Sequence, residues 1–166
     1  MNVGPCVLIA IPLLLAASAS DLTARMVSNR VCMALGLDGV AMQAVAHTLP
    51  VSILAMLAVF IPAFVLWRHG IMGGGDAKLF AATALLVHPA AVPMLVLAIT
   101  LAGGVLGLVY WTMMRLLSKR MTSSPADPFR RILRIERHRI CRGFSLPYAV
   151  AISVGTFYVF GKELAS

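Results

Sequence analysis

Residues 79–114 read LFAATALLVHPAAVPMLVLAITLAGGVLGLVYWTMM, 36 positions without a single charged side chain. A helix that crosses a bilayer needs roughly 20 apolar residues at about 1.5 Å of rise each, so this run is nearly twice the length of one crossing. It also contains its own interruption. His88-Pro89 and Pro93 lie inside it, and proline breaks a helix because it lacks an N–H and clashes with the preceding turn. The run predicts a helical hairpin. Residues 31–67 repeat the pattern, with 37 positions, Asp38 as the one charge and His47-Thr48-Leu49-Pro50 as the breaker.

Outward from these hairpins, residues 3–20 and 143–161 carry no charge, and each fits one crossing. The reading is an all-α polytopic membrane protein with six transmembrane helices at about 3–20, 28–46, 50–67, 75–88, 93–117 and 144–161. These would form one membrane-embedded domain over 1–166, with a basic loop at about 118–143. With 60% hydrophobic and 12% charged residues, the composition excludes an ordinary soluble domain. Lipid is the expected solvent.

Charge placement tests the six-span count independently, because cytoplasmic loops collect Lys and Arg. Arg25, Arg30, Arg68, Lys78, Arg115, Lys119, Arg120 and the six arginines between 130 and 142 fall on one side, leaving Lys162 alone on the other. Both termini are then expected outside. Ser18-Ala19-Ser20 resembles a signal-peptide cleavage site, but no Lys or Arg precedes the apolar stretch. The first span is therefore expected to be retained. Cysteines at 6, 32 and 141 form no CxxC pair, so neither a zinc site nor a disulfide framework is indicated. Within the loop, Phe129, Ile132, Leu133 and Ile140 can share a helical face opposite arginines. Residues 129–142 fit an interfacial helix on anionic lipid or a solvated cytoplasmic loop equally well. Neither makes a nucleic-acid site.

Six acidic residues exist. Asp127, Glu136 and Glu163 lie in polar stretches and are set aside, whereas ionisable groups in or at the edge of apolar spans are functional candidates. Asp21 closes the first span and Asp76 opens the short fourth one, so two crossings place both on the cytoplasmic side. Two carboxylates brought together at partial burial tend to share one proton. That state suits peptide hydrolysis, with one partner as base toward water and the other as acid toward the oxyanion. Asp38, between Gly36 and Gly39, is expected at a break in helix two facing the exported side. His47 and His88 are expected as solvated turn residues.

Around Asp76 the chain reads Gly73-Gly74-Gly75-Asp76-Ala77-Lys78-Leu79. Three glycines permit close backbone approach, and the Asp alone would also serve as a helix N-cap. The run resembles the GxGD motif of membrane aspartic proteases, in the GGGDxKL form of bacterial type IV prepilin peptidases. Asp21-Leu22-Thr23-Ala24-Arg25-Met26-Val27-Ser28-Asn29 is similar in spacing to that family's other aspartate segment, with Ser28 where Pro is common. Leu146-Pro147-Tyr148-Ala149-Val150-Ala151 resembles its Pro-Tyr-Gly-Val-Ala segment, with Ala149 in place of Gly.

The resemblance is to the short form found with tight-adherence (Flp-type) pili. It implies Asp21 and Asp76 as the catalytic pair and Gly73, Gly74, Gly75, Lys78, Arg25, Asn29, Pro147 and Tyr148 as substrate-binding or supporting residues. It implies a bacterial inner-membrane enzyme that cuts the leader from a prepilin or pseudopilin, without N-methylation and with no metal or organic cofactor. Archaeal preflagellin peptidases share this chemistry. Two rival classes are an ion-coupled transporter subunit, which duplicated halves and midplane carboxylates would favour, and a non-catalytic scaffold of a secretion complex. Lys78 either biases the pair toward ionisation or snorkels to headgroups.

Overall fold

The computed structural model describes residues 4–24, 26–118 and 148–165. Arg25, Pro147 and the basic segment with its expected interfacial helix at 129–142 lie outside the described residues. Six α-helices are described: α1 (Gly4–Ala24), α2 (Asn29–Val45), α3 (Leu49–Arg68), α4 (Gly74–Leu86), α5 (Val92–Ser118) and α6 (Tyr148–Ala165). A 3-10 turn at Pro89–Ala91 precedes α5. The breakers act where their chemistry demands. Pro50 stands in the first turn of α3, where its missing N–H has no partner to lose. Pro89 opens the 3-10 turn between α4 and α5.

Two helices, Leu49–Arg68 and Pro89–Met113, are long and apolar enough to cross a membrane, with mean hydropathy 2.5 and 2.3; Leu8–Ala24 is a shorter apolar helix. Their apolar surface points outward. Leu54, Ile61, Leu101 and Val105 are each more than half exposed, which would be costly in water and is ordinary against lipid.

The centre of the bundle is α4. It packs against α2, α3 and α6, while α1 packs on α2 and α6, and α5 on α6. Ala77, Leu79 and every residue from Ala81 to Val87 are buried. At 13 residues and about 1.5 Å per residue, α4 is shorter than the roughly 30 Å hydrocarbon core. Enclosure by other helices would make that tolerable in a bilayer, where polar helix ends are stable only when protein groups satisfy them. Gln43 does this for the C-terminal end. Its side chain is fully buried, and its amide donates to the carbonyls of Leu85 at 3.0 Å and Val87 at 2.8 Å. Gln43 Oε1 accepts from the Thr48 hydroxyl at 2.7 Å.

The expected break of helix two does not occur. α2 is continuous from Asn29 to Val45, through Gly36, Asp38 and Gly39, and Asp38 is partly buried on it. The physical reason lies in Gly39, where a Cβ would stand 2.7 Å from Leu85 Cβ and 2.8 Å from the Leu85 carbonyl carbon. That glycine serves the close approach of α2 to α4. Gly39→Ala is expected to destabilise by about 1–3 kcal/mol through overpacking against backbone. Gly36, with nothing within 4 Å, should accept Ala without loss, and thermal unfolding in detergent compares the two.

At the far turn His47 is exposed, at φ 55°. His88 is not simply solvated. It is partly buried, its backbone N–H donates to Glu163 Oε1 at 3.0 Å, and its Nδ1 accepts from the Ala90 N–H at 3.3 Å. Glu163, set aside in the sequence, fastens the end of α6 to the α4–α5 turn.

Candidate active site

Asp21 occupies the last turn of α1, and Asp76 is the third residue of α4. Each is 5% exposed. A carboxylate so deeply buried must be held by donors or share a proton. The Oδ2 of Asp21 accepts the Ala149 N–H at 3.1 Å. Ala149 is the second residue of α6, so its N–H is one of the donors that a helix start leaves without an intrahelical partner. Asp76 lies within the first turn of its own helix, where the positive end of the helix dipole favours negative charge.

The three glycines before Asp76 have three different neighbours. A Cβ on Gly73 would stand 2.7 Å from Asp76 Oδ2, on Gly74 2.8 Å from the indole nitrogen of Trp67, and on Gly75 3.2 Å from Val27 Cβ. The Asp76 carboxylate therefore occupies the space that a side chain at 73 would fill. Trp67, at the end of α3, covers Gly74. Val27 belongs to the link between α1 and α2, so the segment after Asp21 packs directly onto the glycine turn before Asp76.

Two further contacts join these segments. Lys78 Nζ donates to Asn29 Oδ1 at 3.0 Å, and the Cys32 thiol lies 3.9 Å from the Gly75 carbonyl. Both bridge the start of α2 to the start of α4. Lys78 thus reaches across to α2 on the exposed side of the turn. The ring of Tyr148 lies beside Gly103 of α5, 3.5 Å from where a Cβ would be. At this segment the group that meets Asp21 is the backbone N–H of Ala149.

Four participants are not marked as such by the sequence: Ala149 stands there only as a departure from glycine, Trp67 as part of a span, Ser18 as part of a stretch that resembles a cleavage site, and Ser153 as one polar residue in an apolar run. Nothing in one-dimensional spacing marks them, because their partners are supplied by other helices.

A model of the type IV leader peptidase family matches residues 8–108, more than half of the 166 residues. The chain belongs to the type IV leader peptidase family. No curated protein and no solved structure shows significant similarity to it. The family consists of membrane-embedded aspartic peptidases that process prepilin substrates, and the matched span contains Asp21, Asn29, all three glycines, Asp76 and Lys78. It ends before α6. The leader peptidase match therefore covers the two aspartate segments, while the Ala149 contact to Asp21 comes from a part of the chain beyond it.

Proposed function

We propose that this chain is an aspartic endopeptidase that removes the N-terminal leader from prepilin-like precursors of the Flp type, with Asp21 and Asp76 as its catalytic pair. One observation carries the reading. In a family of leader peptidases, two carboxylates that are each 5% exposed terminate helices whose connecting segments pack on each other through Val27 and Gly75.

In the proposed mechanism the pair holds one shared proton. The ionised carboxylate takes a proton from water as its oxygen attacks the scissile carbonyl, and the protonated partner donates to the developing oxyanion. Collapse of the tetrahedral intermediate breaks the C–N bond: the carboxyl that gained the water proton delivers it to the leaving amine, and its partner takes back a proton from the gem-diol hydroxyl, which restores the singly protonated pair. The glycine turn offers backbone to an extended substrate, while the absence of Cβ atoms at 73–75 leaves room for Asp76, Trp67 and Val27. Lys78 and Asn29 support the turn from outside.

All six helices are proposed to lie in the bacterial inner membrane with the aspartate end at the cytoplasmic face and both termini outside. Lys and Arg placement supports this orientation. At the aspartate end Arg115 stacks its guanidinium on Trp111 with 4.2 Å to the ring centre, a pairing suited to a membrane–water interface of either side. The substrate's charged leader would then stay in the cytoplasm while its apolar helix remains in lipid. Anionic lipid is the proposed partner of residues 129–142.

The test is cleavage of a co-expressed Flp-type prepilin, read by gel shift and by the N-terminal mass of the product. A product lacking the leader is expected, and an intact precursor at full expression of the peptidase would overturn the reading. Gly73→Ala sharpens it. The new Cβ would displace the Asp76 carboxylate, so kcat is expected to fall roughly 10–100-fold, by more than any loss of folded protein. Thermal unfolding and cleavage rate measured on one preparation separate the two effects.

A further inference from the structure

Ser18 and Ser153 face each other across the α1–α6 interface, on helices that also bury Leu14, Ala17, Ala149 and Ile152. Ser18 Oγ lies 2.7 Å from Ser153 Oγ, 3.0 Å from the Leu14 carbonyl and 3.4 Å from the Ala149 carbonyl. Ser153 Oγ lies 3.2 Å from the Leu14 carbonyl. Each hydroxyl has one proton, and one arrangement serves both: Ser18 donates to Ser153, and Ser153 donates to Leu14. Ser153 is buried and Ser18 partly so.

The position of this bridge gives it consequence. Ser18 precedes Asp21 by three residues and Ser153 follows Ala149 by four, so each is about one helical turn from a member of the Asp21–Ala149 hydrogen bond. The two contacts are successive rungs between the same two helices. Apolar side chains resist sliding and rotation of one helix on another only weakly in lipid, where neighbouring tails are equally good partners. A hydroxyl pair with directional bonds holds one register. We infer that Ser18 and Ser153 are positioning residues, which fix α1 against α6 so that the Asp21 carboxylate meets the Ala149 N–H and stays aimed for catalysis. The inference rests on the leader peptidase reading above.

The experiment uses the full chain in lipid nanodiscs with a purified prepilin, comparing wild type, Ser18→Ala, Ser153→Ala, the double variant, Ser18→Thr and Thr156→Val. Thr156 is a control because its buried hydroxyl bonds within α6, to the Ile152 carbonyl at 2.7 Å. Each Ser→Ala variant is expected to lose kcat roughly 10-fold or more with KM within about twofold, since a small misplacement of a reacting group costs rate more than binding. The double variant should be no worse than the poorer single one, because the hydroxyls act as a unit. Ser18→Thr restores the hydroxyl and the rate, and Thr156→Val keeps wild-type kcat. Amide exchange over Tyr148–Ser153 gives a reading apart from activity. Exchange at Ala149 should quicken about tenfold in both Ser→Ala variants and not in Thr156→Val.

Wild-type exchange and kcat in the Ser→Ala variants, beside inactive Asp21→Asn and Asp76→Asn, would overturn the positioning role alone. An equal loss of kcat in Thr156→Val would do the same by showing a merely structural effect. Absence of cleavage by wild type, or cleavage without either aspartate, would overturn the leader peptidase reading and this inference with it.

Discussion

Asp21→Asn and Asp76→Asn are each expected to lower prepilin cleavage by 10²–10⁴-fold or more, the range contributed by a positioned acid or base. An amide neither takes the proton from water nor returns one to the leaving amine. The fold should survive the change. Asparagine Oδ1 still accepts the Ala149 N–H that Asp21 now receives at 3.1 Å, so Asp21→Asn keeps the contact and loses the titrating group. In the proposed mechanism the two carboxylates work as one unit, so the double variant should be no slower than either single one. Asp38→Asn is the comparison, since Asp38 lies well along α2 while the proposed pair ends α1 and begins α4. Its cleavage rate should stay within about threefold of wild type, well under the effect of losing an acid or base. Rates and thermal midpoints on the same detergent preparations decide the matter. Substantial cleavage by either Asp→Asn variant of the pair would remove the dyad from the mechanism.

The largest loss of stability is expected at Gln43. Gln43→Leu keeps the volume and removes three hydrogen bonds, leaving the Leu85 and Val87 carbonyls and the Thr48 hydroxyl without the partner they have at 3.0, 2.8 and 2.7 Å. A buried polar group without a partner costs about 1–3 kcal/mol, and hydrogen bonds between membrane helices average less because the unfolded chain finds other partners. A net loss of about 2–4 kcal/mol follows. Thr48→Val removes only one of the three bonds and should cost about 1 kcal/mol. Unfolding midpoints in detergent test the order. If Gln43→Leu were as stable as wild type, the end of α4 would have to be satisfied in another way.

Much of the architecture was legible because lipid imposes simple rules. Uncharged runs set the number of apolar helices, and Pro50 and Pro89 mark two of the turns. The short fourth helix with Asp76 at its start appears at Gly74–Leu86, close to the expected 75–88. Asp21 and Asp76 stood out because a carboxylate beside an apolar run is costly and therefore rare. Gly36 and Gly39 misled. In sequence, two glycines flanking an aspartate look like a break, and only the presence of Leu85 beside Gly39 shows that one of them serves packing.

What the sequence determined by itself was the apolar character of the chain, the helical segments, the uneven placement of the basic residues and which two aspartates border apolar runs at helix ends. These properties reside in length, charge and local backbone chemistry, which neighbouring residues decide among themselves. Tertiary structure alone decided that Gln43 closes the end of α4, that the N–H of Ala149 meets Asp21, and that Ser18 faces Ser153. Those pairs are separated by 42, 128 and 135 positions in the chain. The reason is physical: helices that are apolar on every face carry little pattern to say which side meets which partner. The few polar contacts that choose the partner exist only once two distant helices have come together.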